Sequence, residues 1–352
     1  MLKKLSEISY ITMGQSPSSK YYNNKEKGLP FLQGRTTFGD KYPYFDTWTT
    51  NWNKEAQVND LLFTVRAPVG DINVSPCKIA IGRGLAAIHP TSVSYQYLYY
   101  LLISNKAKFI TSSAGTIFDS INKNSLESIE LYIHDDEMQK HIINTIGSVD
   151  DLIENYNKKI EKLMNLGLIK INLLNSKKNK IDLSSITKFE KGNELGSSNY
   201  FDYYKDNFIN YIRVGDLLSL SNTYVDKNIC NKFVEEEDIL IAMDGAPGRN
   251  AIGLNGSYSS GLYKMLCNKD KKGLVYFELN SDLNQNIIKN MSQGTTILHA
   301  SKSIPFLKTI EIDEKENEYF NNIFNEIFIL KKKVSLLKNI KDKLLIKYFT
   351  NQ

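Results

Sequence analysis

The sequence predicts an α+β protein: two similar, mixed α/β-rich modules separated by an antiparallel pair of long helices that form a coiled coil. Two observations carry this expectation. Apolar residues recur at heptad spacing in two proline-free stretches, one mid-chain and one terminal. The segment ahead of each stretch repeats the same order of turn and strand residues.

The helices come first. Ile142, Ile146, Val149, Ile153, Tyr156, Ile160 and Leu163 follow one another in alternating steps of four and three, the seam of a coiled coil. Phe320, Ile323, Ile327, Leu330, Val334, Leu337 and Leu344 form the second seam, with Lys341 as its polar interruption. Lys, Glu, Asp and Asn fill the other positions, as a solvated face requires. Antiparallel pairing within the chain buries both stripes; pairing between chains, or burial of each seam as ordinary core, are the alternatives. A helix of about 33 residues rises roughly 50 Å, the length of a spacer.

The first module, residues 1–134, reads as β-rich. Gly14-Gln15-Ser16-Pro17-Ser18-Ser19 is a loop by composition, and Leu29–Leu32, Asp60–Val65 and Ile79–Ile88 are apolar strand candidates. Gly82 and Gly84 break the last of these. Tyr95 to Ile110 has helical periodicity, Gly115-Thr116 opens a polar loop, and Ile129–Ile133 is a final strand. The second module, residues 176–312, repeats this order. Lys191-Gly192-Asn193 stands for Met13-Gly14-Gln15, Tyr211-Ile212-Arg213 for Phe31-Leu32-Gln33, and Asp238–Ile241 for Asp60–Phe63. Ala246-Pro247-Gly248 answers Pro68-Val69-Gly70, Gly261-Leu262 answers Gly84-Leu85, and Ile310-Glu311-Ile312 answers Ile129-Glu130-Leu131. Gly294-Thr295-Thr296 answers Gly115-Thr116-Ile117, with Lys302 eight residues on as Lys123 is. The offset stays near 180 residues, too steady for chance among turn residues. The helices occupy 135–175 and 313–352, so the order is module, helix, module, helix.

Composition is that of an ordinary globular protein, 41% hydrophobic and 24% charged. The three cysteines are odd in number and far apart, which argues against a disulfide framework. No apolar run is long enough to span a bilayer and no signal-peptide pattern follows Met1, so the cytoplasm is the expected location and no membrane partner is expected. The net charge of +5 divides as +4 over residues 1–134, −2 over 135–175, +1 over 176–312 and +2 over 313–352. All five arginines lie in the two modules.

The inventory for catalysis is missing. The chain has no phosphate-binding G-x-x-x-x-G-K-[ST] loop and no Asn-Pro-Pro-Tyr or Asp-Pro-Pro-Tyr loop of the kind that holds an extruded base in amino-methyltransferases. His89, His134, His141 and His299 are scattered, and no metal site is expected. The acidic run Glu235–Asp238 reads as a solvated turn. The expectation is a non-catalytic binding protein.

With the repeat and both helices in place, the chain resembles the specificity subunit of type I restriction–modification systems over essentially its whole length. Gly14-Gln15-Ser16-Pro17-Ser18 resembles the Gly-x-Ser/Thr-Pro opening of that family's target-recognition domains, and Tyr211–Leu217 its Tyr-Ile-Arg-x-x-Asp strand. Asp238–Gly248 is similar to its Asp-Ile-Leu…Gly…Gly turn, and Gly294–Lys302 to its Gly-Thr/Ser…Lys segment. The resemblance implies a double-stranded-DNA-binding subunit for phage defence with no active site or cofactor of its own. Each module would read half of a bipartite target, and the helices would set the spacing and dock two methyltransferase subunits. Those partners would carry S-adenosylmethionine, and a restriction/translocase partner would use ATP and Mg²⁺. A strut of roughly 50 Å corresponds to about 15 base pairs. A paired-module adaptor or lectin-like protein with a coiled-coil stalk is the rival reading.

The candidate DNA contacts follow from side-chain chemistry. Arg35, Arg66, Arg83, Arg213 and Arg249 offer guanidinium forks suited to guanine or phosphate. Gln15, Ser16, Ser18, Ser19, Lys20 and Tyr21 lie on the glycine-led loop, with Asn193 as the counterpart of Gln15. Tyr200, Tyr203 and Lys205 form an aromatic and basic cluster that mirrors Lys20-Tyr21-Tyr22. Thr116, Lys123, Thr295, Thr296, His299 and Lys302 lie on the repeated Gly-Thr segments.

Overall fold

The structure is a computed structural model that describes residues 1–113, 120–218, 223–294 and 298–349. The chain divides into two compact units: Met1–Asp151 with Leu337–Gln352, and Leu152–Leu336. Each unit therefore contains part of both long helices, which run Asp136–Lys177 and Glu314–Phe349.

In the first unit, short runs of apolar and β-branched residues form two sheets. Strands Ser9–Met13, Leu85–Pro90, Leu61–Thr64 and Ile72–Val74 lie side by side in that order, all antiparallel. Leu61–Thr64 is buried at every position, which suits a central strand covered on both faces. The second sheet has the order Tyr22–Asn23, Trp48–Thr49, Leu29–Leu32, Ile79–Ile81 and Glu55–Ala56, with a parallel pairing between Leu29–Leu32 and Ile79–Ile81. Leu2–Lys4 pairs with Glu130–Tyr132. The helix expected from Tyr95 to Ile110 is two helices, Tyr95–Ser104 and Lys106–Ser113. The break falls at Asn105, whose side-chain amide donates to the Leu101 carbonyl at 2.8 Å, a local bond that competes with helix continuation.

The second unit repeats this plan. Strands Thr187–Lys191, Leu262–Cys267, Leu240–Ala242 and Asn250–Ala251 take the four sheet positions in the same order. The other sheet runs Tyr224–Asp226, Phe208–Ile212, Gly256–Tyr258 and Phe233–Val234, with Phe208–Ile212 parallel to Gly256–Tyr258. Loop bonds match atom for atom. Gly14 N–H donates to Leu85 O at 2.8 Å and Gly192 N–H to Leu262 O at 2.9 Å. Gln15 N–H reaches Ile81 O at 2.9 Å and Asn193 N–H reaches Tyr258 O at 3.0 Å. A Cβ at Gly14 would lie 2.2 Å from Gly82 O, and one at Gly192 2.3 Å from Ser259 O, so both positions need a residue without a side chain.

The long helices bury their seams within each unit. Ile142 and Ile146 belong to the first unit's core, with Leu344, Leu345, Tyr348 and Phe349 packed against it. His141 Nε2 lies 2.9 Å from Tyr348 Oη, and Lys341 Nζ 2.6 Å from Asp150 Oδ1, an antiparallel register. Lys341, the polar interruption of its seam, is only 15% exposed, and Tyr100 donates its phenolic proton to Asp150 Oδ2 at 2.8 Å. Val149 is half-buried and Leu337 and Leu344 likewise. In the second unit Ile171, Leu174, Phe320, Ile323 and Ile327 share one core with Ile160 and Leu163 at its margin. Lys159 pairs with Glu326 at 2.6 Å, again antiparallel. Ile153, Leu330 and Val334 are buried.

Two buried features of the second unit make testable demands. Gly167, mid-helix, faces the Phe277 ring so closely that a Cβ would meet Cε1 at 2.1 Å. Alanine there gains about 1 kcal/mol of helix propensity but overpacks a buried ring at about 1–3 kcal/mol. Gly167→Ala should therefore lower the melting temperature, and a rise would contradict the packing. Glu278 is fully buried, its Oε2 accepting from Asn175 Nδ2 at 2.9 Å while Oε1 and Asn175 Oδ1 lack a hydrogen-bond partner among the described residues. Burial outweighs the neighbouring hydrogen bonds and pushes its carboxyl up from 4.5 to about 7. The folded state thus holds a proton that the unfolded state releases. Stability should fall as pH rises from about 4.5 to about 7 and then level off. Glu278→Gln should abolish that slope in denaturation measured from pH 4 to pH 8.

Candidate nucleic-acid interface

At one edge of each unit the loops after the first long strand, after the parallel strand and before the glycine-led strand converge. In the first unit Arg83 N–H donates to Ser16 Oγ at 3.2 Å, Gly84 N–H to Gln33 O at 3.0 Å, and Val65 N–H to Gly84 O at 3.0 Å. These bonds bring Gln15, Ser16, Gln33, Arg35, Arg66 and Arg83 to one edge. Ser18, Ser19 and Lys20 continue it on an exposed turn, Ser19–Tyr21. Tyr21 is half-buried, with the Lys20 ammonium 5.0 Å over its ring. In the second unit Asn193 O accepts the Tyr211 phenolic proton at 2.6 Å, and Arg213 stands at the register position of Gln33.

The five arginines divide by partner. Arg35, 55% exposed, pairs with Asp71 at 2.6 Å, and Lys106 shares that carboxylate. Burial pushes the Asp71 carboxyl up, but Lys106 and Arg35 together outweigh it and hold the group below its ordinary value. Arg213, 47% exposed, lies 3.8 Å from Asp216, donates to Thr223 Oγ1 at 2.9 Å and sits 5.8 Å over the Tyr200 ring. Arg66, Arg83 and Arg249 form no ion pair with another described residue. Arg249 occupies the place of Asp71: Ala242 N–H reaches Arg249 O as Thr64 N–H reaches Asp71 O. The same spot therefore carries opposite charge in the two units.

Other candidates fall elsewhere. Lys123 is not on a loop; it begins the helix Lys123–Glu127, because Asn122 Oδ1 caps it by accepting from Ser125 N–H at 2.9 Å. Its ammonium lies 3.5 Å from Glu127 and over the Tyr10 ring. Lys302 is exposed on the turn Ser301–Phe306. His299 Nδ1 lies 2.8 Å from Asp244 Oδ1, and its backbone exchanges bonds with Gln293. Tyr203 and Lys205 belong to a separate outer cluster, where Tyr203 packs on Phe201 and Phe208. Thr116, Thr295 and Thr296 lie outside the described residues.

A cleft of about 240 Å³ opens beside Gln33, lined by Tyr22, Phe31, Thr37, Asp46 and Thr47 among others. Sequence reasoning passed over Gln33, although its register with Arg213 was present in the repeat. Nothing local in the sequence links Asp46 and Thr47 to it. Among the described residues no group of His, Cys, Asp and Glu is arranged to hold a metal, and no helix is long and apolar enough to cross a membrane.

Residues 1–165, which contain the first edge and the start of the first long helix, match the type I restriction modification DNA specificity domain. The match covers a little under half of the chain. A protein of Methanocaldococcus jannaschii assigned as the type I restriction enzyme MjaX specificity subunit is 41% identical over 155 residues, 44% of this chain and 36% of the relative. The chain thus spans a little over a third of that relative's length. The S subunit of a type I restriction-modification system from M. genitalium shares the fold over 100% of this chain and 96% of its own, with a TM-score of 0.57 at 18% identity. The HsdS subunit of Thermoanaerobacter tengcongensis is 36% identical over 41% of this chain and 36% of its own, with a TM-score of 0.37. The matched residues 1–165 include the loop edge of the first unit, and the second unit has an equivalent edge in its backbone bonds.

The charge contrast at this edge is measurable. Arg35→Ala should move the Asp71 titration upward in an NMR pH series, because one of its two cations is lost. An unchanged titration would show that Lys106 alone holds the carboxylate.

Proposed function

We propose that the chain is the sequence-specific DNA-binding subunit of a type I restriction–modification complex and catalyses nothing itself. Its target-recognition domains are residues 1–134 and 176–312, each reading one half of a bipartite target. The helices of 135–175 and 313–352 set the spacing and dock two methyltransferase subunits. S-adenosylmethionine belongs to those partners, and ATP and Mg²⁺ to a restriction/translocase subunit where the complex also cleaves. The complex works in the cytoplasm.

The observation that carries this reading is the pair of equivalent loop edges, matched in backbone bonds and different in side chains. One backbone plan with divergent edge chemistry is what reading two different sequences requires. Gln15, Ser16, Ser18, Ser19, Lys20 and Asn193 contact phosphates through hydroxyls, amides and charge, and Tyr21, Thr116, Lys123, Thr295, Thr296, His299 and Lys302 are further candidate contacts. Arg66, Arg83, Arg213 and Arg249 take base edges or phosphates, Arg35 acts from its Asp71 pair, and Tyr200, Tyr203 and Lys205 pack along the backbone.

Three measurements test this. Arg213→Ala should relax the choice at one base pair of the second half-site, a loss of about 1–3 kcal/mol confined to that position. Lys20→Ala should weaken binding to all sequences alike and lower the slope of affinity against salt by about 1. In the source genome, exchanging residues 180–312 for those of a relative should change one half of the methylated motif and leave the other intact. A motif that changes in both halves, or in neither, contradicts the division of labour.

A further inference from the structure

We propose that the cleft beside Gln33 receives a single nucleobase swung out of the duplex by the first unit. The inference rests on the DNA-binding reading above and adds a site in the first unit, whose counterpart in the second unit holds the Arg213 guanidinium.

The argument starts from register. Phe31 N–H donates to Thr47 O at 2.9 Å, and Tyr211 N–H to Thr223 O at 2.9 Å, so Thr47 and Thr223 hold equivalent places. Tyr22 and Phe31 pair their rings at 4.7 Å and 36°, as Tyr200 and Tyr211 do at 5.0 Å and 31°. Gln33 and Arg213 follow the same parallel strand pairing. The two units thus build one slot: a tyrosine platform, a threonine hydroxyl and the side chain that follows the strand.

The slot is used differently. In the second unit the planar guanidinium of Arg213 lies over Tyr200 and donates to Thr223 Oγ1 at 2.9 Å. The protein supplies its own flat, hydrogen-bonding group. In the first unit the residue is Gln33, which is exposed, and the space is an open cleft of about 240 Å³. That lies below the roughly 300–1,000 Å³ of sites for drug-sized ligands and suits one ring system.

The walls select a base. Tyr22 donates its phenolic proton to Pro17 O at 3.0 Å, which fixes the platform on which a π-face stacks. Asp46 Oδ1 accepts a hydrogen bond from the Thr47 hydroxyl at 2.8 Å, and its carboxylate at the rim has further lone pairs to accept from an exocyclic amine. The Gln33 amide offers one donor and one acceptor edge. An amino-bearing base, stacked on Tyr22 with its amine toward Asp46, satisfies all three. Base unstacking is offset by the new stacking and hydrogen bonds, as in enzymes that extrude a base.

The test uses the full chain without methyltransferase and duplexes that it selects from a random pool. 2-Aminopurine, or pyrrolocytosine at cytosines, is placed at each position of both half-sites in turn. Fluorescence should rise on binding at one position of the first half-site and at none of the second. Gln33→Arg, which gives the first unit the group the second already carries, should abolish that rise and weaken binding about five- to hundredfold. Its melting temperature and second half-site preference should not change. Asp46→Ala, at an exposed position, is the independent variant and should reduce the rise in the same place. Selective binding with no rise at any position overturns the proposal, as does a rise that survives both variants. Failure to retain any duplex at low salt is a separate result and overturns the DNA-binding reading itself.

Discussion

Burial of the two helical seams is the constraint on which both units depend. Neither unit closes its core from its own strands and short helices alone. The first uses Ile142 and Ile146 with Leu344, Leu345, Tyr348 and Phe349, and the second uses Ile171 and Leu174 with Phe320, Ile323 and Ile327. Since a helix of 42 residues exposes apolar surface along its length, it is stable only where such packing covers it. The polar interruption at Lys341 obeys the same logic. A half-buried ammonium is tolerated because Asp150 lies 2.6 Å away and Tyr100 satisfies the other carboxylate oxygen.

Duplication imposes a second constraint, on the backbone. The loop edges are held by main-chain bonds from Gly14 and Gly192, and by parallel strand pairs that recur at the same register. Main-chain bonds depend little on side-chain identity, so substitutions on the loops leave the edge in place. This is why Asp71 and Arg249, or Gln33 and Arg213, can occupy equivalent positions with different chemistry. Charge reversal at one point of a shared frame lets the two edges differ in chemistry without refolding.

Each unit also contains polar groups placed where burial governs their chemistry. Asp71 is kept ionised by two cations, whereas Glu278, buried with Asn175, titrates near neutrality. The contrast follows from partners: two fixed positive charges offset desolvation, and neutral amides do not.

Much of this architecture was legible in the residues alone. Heptad spacing from Ile142 to Leu163 and from Phe320 to Leu344 identified the helices, because a helical stripe is a property of local periodicity. Repeated glycines at 14 and 192, and at 84 and 261, marked equivalent turns, because close backbone approach restricts residue choice. Tertiary structure alone decided the rest. Arg35 meets Asp71, Arg213 stacks on Tyr200, and Asp46 and Thr47 line a cleft with Tyr22, none of which adjacent residues announce. Lys123 moved from a loop to a capped helix, and the stretch from Tyr95 broke at Asn105, through single side-chain bonds that periodicity does not register. Elements arise from local pattern, whereas the partners of a charged or aromatic group depend on which loops the sheets bring together.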